Sequence, residues 1–293
     1  MSAAVKGFPG PAHRRVSRQV SLRGDLGTWL IRLFLIVMCV LVLLPVLWVL
    51  SVSVQPGSSG YSSSLIPSKL TGDNYGGIFN AGFWTWTKNS LIVSFAAAMT
   101  QLIINTLGAF AFSRLRFWGQ RYGLVAMFMI QVFPQVAAIS AIFTLVVKVN
   151  LFDTLWAVYL VFIGGSAYYM MLLKNYMDSL PKELDESARV DGANSFQIFS
   201  LVILPLIRPI LFTIFFFSFV AMYGEFLFSN LLLQSTDNYT MMVGLQHEVA
   251  GQYNTNWSVF SAGAMLAGLP ILIVFFACQR FLVSGLASGS VKG

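Results

Sequence analysis

The residues best suited to chemistry fall into two sets. The first is a hydrophilic stretch stranded between apolar runs, Leu180 to Pro209, which reads LPKELDESARVDGANSFQIFSLVILPLIRP. With Asp178 just ahead of it, it carries five acids: Asp178, Glu183, Asp185, Glu186 and Asp191. Their chemistry is recognition. Acids near the start of a helix are favoured by the positive end of its dipole, and an acidic edge can meet basic side chains of a partner. The second set consists of polar residues inside apolar runs. Gln101 and Asn105 are spaced i, i+4, as are Gln131 and Gln135 around Pro134, so each pair lies on one helix face. Glu225, in Tyr223-Gly224-Glu225, is the one acid inside such a run. An ionised acid at mid-bilayer costs roughly 2.5–3.5 kcal/mol, so Glu225 is expected to face a cavity or a protein partner. These groups suit two tasks equally well: a hydroxyl-friendly wall for a solute, or hydrogen bonds between helices.

Residue types argue against catalysis. Cys39 and Cys278 each lie in an apolar run and read as small packing residues, not a disulfide framework or a metal set. His13 and His247 are far apart and fall on opposite sides of the membrane in the topology below, so no metal site is expected. A membrane-embedded enzyme would need His, Asp or Glu clustered near one membrane face, and the only acid cluster is the 180–209 stretch. There is no G-x-x-x-x-G-K-[ST] loop, so the chain is expected to bind neither nucleotide nor cofactor, and any ATP must act on another polypeptide.

These residues need a membrane to hold them. Of 293 residues, 57% are hydrophobic and 10% charged, and mean hydropathy is +0.74. A chain of this kind in water would expose more apolar surface than soluble monomers tolerate. Six runs are long enough to cross a bilayer as helices of about 20 residues: Leu30–Val54, Leu91–Ser113, Tyr122–Val147, Leu155–Leu173, Ile210–Leu233 and Val259–Leu282. Continuous runs exclude a barrel, whose strands alternate, and helices satisfy their own backbone in lipid. With both termini placed in the cytoplasm, fifteen of the 18 Lys and Arg fall inside and only Lys69, Lys88 and Lys148 outside, as the positive-inside rule demands. The net charge of +7 is thus a topology signal, and no nucleic-acid partner is expected. The first apolar run exceeds a usual signal-peptide core, so it is read as a retained span.

The expected organisation is an all-α membrane protein. Residues 1–28 form a cytoplasmic arm, 29–283 a six-span domain and 284–293 a cytoplasmic tail, with polar loops at 174–209 and 234–258. Phe83, Trp84 and Trp86 read as an interfacial aromatic belt before span 2. The 174–209 loop reads as two short helices. Ser179 is the expected N-cap of the first, with Pro181 at N1. Gly192 fits a C-terminal cap that requires positive φ. Asn194 with Gln197 forms a capping-box pattern, and Pro205 and Pro209 end or kink the second helix. Leu184 and Ala188 share one apolar face at i, i+4. In the outer loop the sequons at Asn238 and Asn256 read as chance occurrences.

Glu186-Ser187-Ala188, then three residues, Gly192, nine residues, and Val202-x-Leu204-Pro205 resembles the coupling loop of binding-protein-dependent ABC importers, EAA-x3-G-x9-I-x-LP. Ser187 and Val202 are mild departures. The run Gln279 to Gly293, and Asn238-Tyr239-Thr240-Met241-Met242-Val243-Gly244, are similar to MalG-type permeases of maltose/maltodextrin importers. The resemblance covers nearly the whole chain after the N-terminal arm. It implies a type I importer permease fold in the bacterial cytoplasmic (inner) membrane. The implied partners are a second homologous permease, a homodimeric ABC ATPase that carries ATP and Mg, an external sugar-binding protein and an oligosaccharide. Glu186, Ser187, Ala188, Asp191, Gly192, Leu204 and Pro205 would couple to the ATPase. Ser288, Gly289, Ser290, Val291 and Lys292, as an extended small-residue tail, would insert between ATPase subunits. Gly251, Gln252, Asn254 and Asn256 would meet the binding protein. Gln101, Asn105, Gln131, Gln135, Tyr223 and Glu225 are the translocation-pathway candidates. No Lys or Arg lies deep in spans 2–6, which favours a neutral solute; trehalose or another α-glucoside stays open. The competing class is a secondary transporter, which predicts internal repeats and broken helices with ion ligands.

Overall fold

The computed structural model describes residues 22–57, 66–67, 69–132, 134–164, 166–249 and 256–290. The described residues fall into two units that divide after Trp48. The first unit holds most of helix α1 (Leu22–Ser53), which starts ahead of the expected span boundary. Its stretch Gly27–Ser53 has a mean hydropathy of 3.2, and its side chains from Trp29 to Leu47 are exposed on every face. A helix that is apolar all round is built to be surrounded by lipid or protein.

In the second unit, α2 (Asp73–Ala81) is followed after one glycine by α3 (Phe83–Arg114). Asn74 fastens α2 to the chain leaving α1, its amide donating to the carbonyls of Ser53 and Gln55 at 2.9 Å each. The aromatic belt expected before span 2 is corrected here. Phe83, Trp84 and Trp86 are the first turn of α3, and Trp86 is fully buried while only Trp84 is exposed.

The remaining order is α4 (Gln120–Val132), α5 (Ile139–Lys148), α6 (Leu155–Phe162), α7 (Ala167–Asp178), α8 (Glu183–Val190), α9 (Ser195–Leu206), α10 (Arg208–Tyr223), α11 (Leu227–Leu232) and α12 (Trp257–Ser290). Helix α3 packs against α10, α7 and α6, and α12 against α10 and α2. Three apolar clusters occur among the described residues of the unit; the smallest holds Ala98, Phe219 and Tyr223, and the two larger ones bear on the site. One surrounds Trp86, Val93, Met222, Leu232 and Met241. The other, beside the 174–209 loop, holds Ala109, Phe110, Leu173, Met177, Phe199, Ile203 and Ile214.

Among the described residues, α1, α3 and α12 are the continuous helices of spanning length. The other three expected spans are each a pair of helices bent at a break, so six spans are present if each bent pair is one span. Span 3 bends by 74° where Pro134 removes an N–H and crowds the preceding turn. Span 4 bends by 47° between α6 and α7, around Gly164. Span 5 stops at Tyr223 and resumes as α11. Where it enters, α9 and α10 meet at 79°, the kink expected from Pro205 and Pro209.

Candidate functional site: the 174–209 loop and the capped breaks in the spans

The loop is built from local rules. Helix α8 begins at Glu183, with Glu183, Asp185 and Glu186 in its first turn. Ser179 is not its N-cap: the Ser179 N–H closes the end of α7 on Asn175, and its hydroxyl donates to Tyr176 O at 2.7 Å. Pro181 accordingly lies in the connector, ahead of the helix. At the other end, the Gly192 N–H donates to Arg189 O (3.0 Å) and the Ala193 N–H to Ala188 O (2.9 Å). These two bonds make a Schellman cap, and Gly192 supplies its left-handed residue at φ +86°. Ala188 and Ala193 pack against the apolar cluster beneath. Ala188 therefore faces inward, and only Leu184 of the expected apolar pair is exposed.

The capping box is present: Gln197 N–H donates to Asn194 Oδ1 at 2.9 Å, and Asn194 N–H to Gln197 Oε1 at 2.8 Å. Pro205 has no N–H to give the carbonyl one turn back, and the turn before it opens to π pitch over Ile198–Ile203. Ile198, Phe199 and Ile203 are buried, and Leu204 is half-buried against the same cluster. Glu186, Ser187, Asp191 and Gly192 remain exposed; the Ser187 hydroxyl donates to Leu184 O at 3.1 Å. So do three residues that sequence reasoning passed over: Val190 (88% exposed), Phe196 (71%) and Leu201 (71%). Their signal was available, since each is a large apolar residue in a hydrophilic segment. The loop thus presents an acidic and apolar face on a rigid base.

The polar residues at lipid depth converge on the break in span 4. Gln101 Nε2 donates to the Phe162 carbonyl at 2.5 Å, closing the end of α6. Asn105 Oδ1 accepts the Ser166 N–H at 3.1 Å, and Gln131 Oε1 the Ala167 N–H at 2.9 Å, closing the start of α7. Backbone groups freed in lipid must find partners, and these amides are the partners. Gln135 sits in the 3₁₀ turn after Pro134. Glu225 serves the break in span 5. Its carboxylate accepts the N–H groups of Phe228 (2.7 Å) and Ser229 (3.0 Å) and the Ser229 hydroxyl (2.6 Å), so it caps α11. Tyr223 is buried on Phe219, its hydroxyl without a hydrogen-bond partner among the described residues.

Elsewhere in the unit, the turn after α5 grips the 234–258 loop. Asp153 Oδ1 accepts the N–H groups of Gln234 (2.8 Å) and Ser235 (3.0 Å), and its other oxygen the Ser235 hydroxyl. Partial burial pushes this carboxyl up, but the Ser235, Gln234 and Asn238 hydrogen bonds outweigh it and hold it below the usual carboxylate range. The 238–244 motif is a packing motif. Asn89 on α3 donates to the carbonyls of Asp237 and Tyr239, and Gly244 lies against the Trp86 indole so closely that a Cβ there would collide with it. Gly251, Gln252 and Asn254 lie outside the described residues. Asn256 is the N-terminal cap of α12, accepting from Val259 N–H at 3.2 Å. The tail is helical through Ser290, including Ser288 and Gly289, and not the extended strand expected; Val291 and Lys292 lie outside the described residues. No cluster of metal-ligating side chains occurs among the described residues.

Residues 104–288 match the family described as binding-protein-dependent transport system inner membrane component. The chain is 36% identical to the galactooligosaccharides transport system permease protein GanQ of Bacillus subtilis, over 89% of this chain and 94% of that one. It is 33% identical to the maltodextrin permease MdxG of the same organism (89% and 95%), and 35% to the maltose/maltodextrin permease MalG of Vibrio parahaemolyticus (86% and 92%). Among solved structures, a bacterial ABC transporter involved in import of the acidic polysaccharide alginate has a similar fold, with TM-score 0.74 and 23% identity over 89% of this chain and 98% of that one.

Proposed function

The chain belongs to the family of binding-protein-dependent transport system inner membrane components, and from that premise we propose that it is one permease subunit of an ATP-driven importer of neutral oligosaccharides of the maltose/maltodextrin kind. In this reading it pairs with a second, homologous permease, a homodimeric ATPase that binds ATP and Mg, and an external sugar-binding protein. The 174–209 loop and both termini face the cytoplasm. Closure of the ATPase moves the loop and switches the cavity between inward and outward access, with no covalent chemistry on this chain.

The observation that carries this reading is the loop itself: two short helices capped by a Schellman turn and a capping box, clamped on an apolar base, with Glu186, Asp191, Val190 and Phe196 left uncovered. A rigid base with a mixed acidic and apolar face suits docking into a protein groove better than lying on anionic lipid. Ser288 to Lys292 are assigned to the ATPase interface, and Gly251, Gln252, Asn254 and Asn256 to the binding-protein side. Tyr223 and Gln135 stay assigned to the pathway, with Gln101, Asn105, Gln131 and Glu225 shaping its wall through the breaks they cap. The relatives are named for galacto-oligosaccharides and maltodextrins, both neutral, and deep Lys or Arg is absent from spans 2–6.

The test is reconstitution with a candidate ATPase, partner permease and binding protein, comparing wild type with Gly192→Asp. No atom lies within 4 Å of a Cβ at Gly192, so the substitution acts through its positive φ, at a cost of about 1–2 kcal/mol, and through added charge. Loss of both maltodextrin uptake and stimulated ATP hydrolysis, with insertion intact, supports the reading. Normal uptake overturns it.

A further inference from the structure

One guanidinium joins three elements at the loop end of the bundle. Arg114 is the last residue of α3, and its side chain is only 6% exposed. Its Nε lies 2.5 Å from Asp185 Oδ2 on α8, a close ion contact without hydrogen-bond geometry; that carboxylate is 9% exposed and its Oδ1 has no hydrogen-bond partner among the described residues, while the rest of the first turn of α8 points outward. Its Nη1 is 4.0 Å from Asp178 Oδ1 at the end of α7, and its Nη2 donates to the Leu180 carbonyl at 3.5 Å. Asp178 is held in turn by the Ser113 hydroxyl (2.6 Å) and Lys174 Nζ (2.5 Å). Arg116, Lys182, Glu186 and Arg189 line a cavity of about 780 Å³ beside the pair.

The position of this clasp gives it a mechanical consequence. Helices α7 and α8 are joined by four residues, 179–182, held by backbone turn bonds. A force on α8 could be taken up by that connector. An ion pair removed from solvent resists separation, because parting it leaves Asp185 as an uncompensated buried charge, while Arg114 keeps Asp178 and the Leu180 carbonyl. From the clasp, α7 runs unbroken for 12 residues to the break in span 4 that Gln101, Asn105 and Gln131 cap.

We propose that Arg114 is a positioning residue for transport: by locking Asp185 of α8 to the ends of α3 and α7, it carries displacement of the loop into span 4, which bends at its capped break. This rests on the reading above that an ATPase drives the loop. Arg114 and Asp185 touch no substrate and act through α7.

The experiment uses the complete reconstituted transporter with maltodextrin. The variants are Asp185→Asn, Arg114→Lys, and the exchange Arg114→Asp with Asp185→Arg; wild type and Gly192→Asp are the references. Three quantities are read: co-purified ATPase, ATP hydrolysis, and sugar imported per ATP. Couplings between sites commonly amount to factors of about 5–150, so Asp185→Asn is expected to keep its ATPase yet lose about tenfold in sugar per ATP. Arg114→Lys, which keeps the charge but loses the fork, should fall between, and the exchange should recover part of the ratio. A normal ratio in an assembled Asp185→Asn complex overturns the proposal. So does loss of assembly in both single variants with recovery in the exchange, which would make the pair a support for loop shape alone. If wild type itself neither holds an ATPase nor imports sugar, the functional reading has failed first, and the clasp loses its role with it.

Discussion

Replacing Asn105 by leucine isolates the amide node in span 4. Asn105 is fully buried, and its Oδ1 accepts the Ser166 N–H at 3.1 Å. Its Nδ2 has no hydrogen-bond partner among the described residues, so the substitution removes one bond; because leucine is bulkier than asparagine, any overpacking at this buried site adds to the cost. An orphaned buried N–H costs about 1–3 kcal/mol in proteins at large, whereas interhelical bonds in membranes average about 0.6 and reach about 1.7. A helix start deep in a bundle belongs near the upper membrane value, about 1–1.5 kcal/mol, or a fall in Tm of roughly 2 °C for a chain of this size. Gln131→Leu should behave alike, because it frees the next N–H of the same turn. The double variant should cost less than the two singles together, by about 0.5 kcal/mol or more, since the first loss already frays the start of α7. The assay is thermal unfolding of the purified complex in detergent, paired with uptake kinetics. If the amides serve the backbone, the maximal rate falls and KM for the sugar holds. A raised KM with unchanged Tm would refute this reasoning and make Asn105 a substrate contact.

Other substitutions probe the remaining contacts. Gly244→Ala should lower stability by about 1–3 kcal/mol through overpacking against Trp86, measured as Tm; an unchanged Tm would mean the indole can move aside. Glu225→Gln swaps an acceptor for a donor at the start of α11 and should cost about 1 kcal/mol, as loss of a helix cap does; a stability equal to wild type would return Glu225 to a pathway role. Asp153 is held below the usual carboxylate range, so its stabilisation is present at neutral pH and is lost as pH falls through the lowered value. The stability gap between wild type and Asp153→Asn should therefore close in acid, and a gap independent of pH would contradict the assignment.

Legibility of the sequence followed the range of the forces involved. Six apolar runs were readable because bilayer thickness sets their length, and the loop caps were readable because a Schellman turn and a capping box depend on residues a few positions apart. Ser179 misled because a serine before proline suits a helix start, while here it ends the helix before it. The breaks were hidden. Pro134 marked one, but the break in span 4 contains no proline, and its caps Gln101 and Asn105 come from α3, about sixty residues away in the chain. Arg114 was legible only as one more inside charge, since nothing local says that its partner is Asp185.

These misses share a cause that bears on mechanism. A chain with 10% charged residues has few polar groups to place in lipid, and each one there needs a reason. Read alone, Gln101, Asn105, Gln131 and Glu225 look like a wall waiting for sugar hydroxyls. In the fold, each of the four closes a backbone end that a straight helix would never have opened. The breaks therefore explain the amides, and the order of inference reverses. A straight span 4 would satisfy its own backbone and need none of them, so retaining both the gap and its caps calls for a use of the bend itself. Movement of α7 about that point is such a use, because capping amides can stay with either end while the rod below turns.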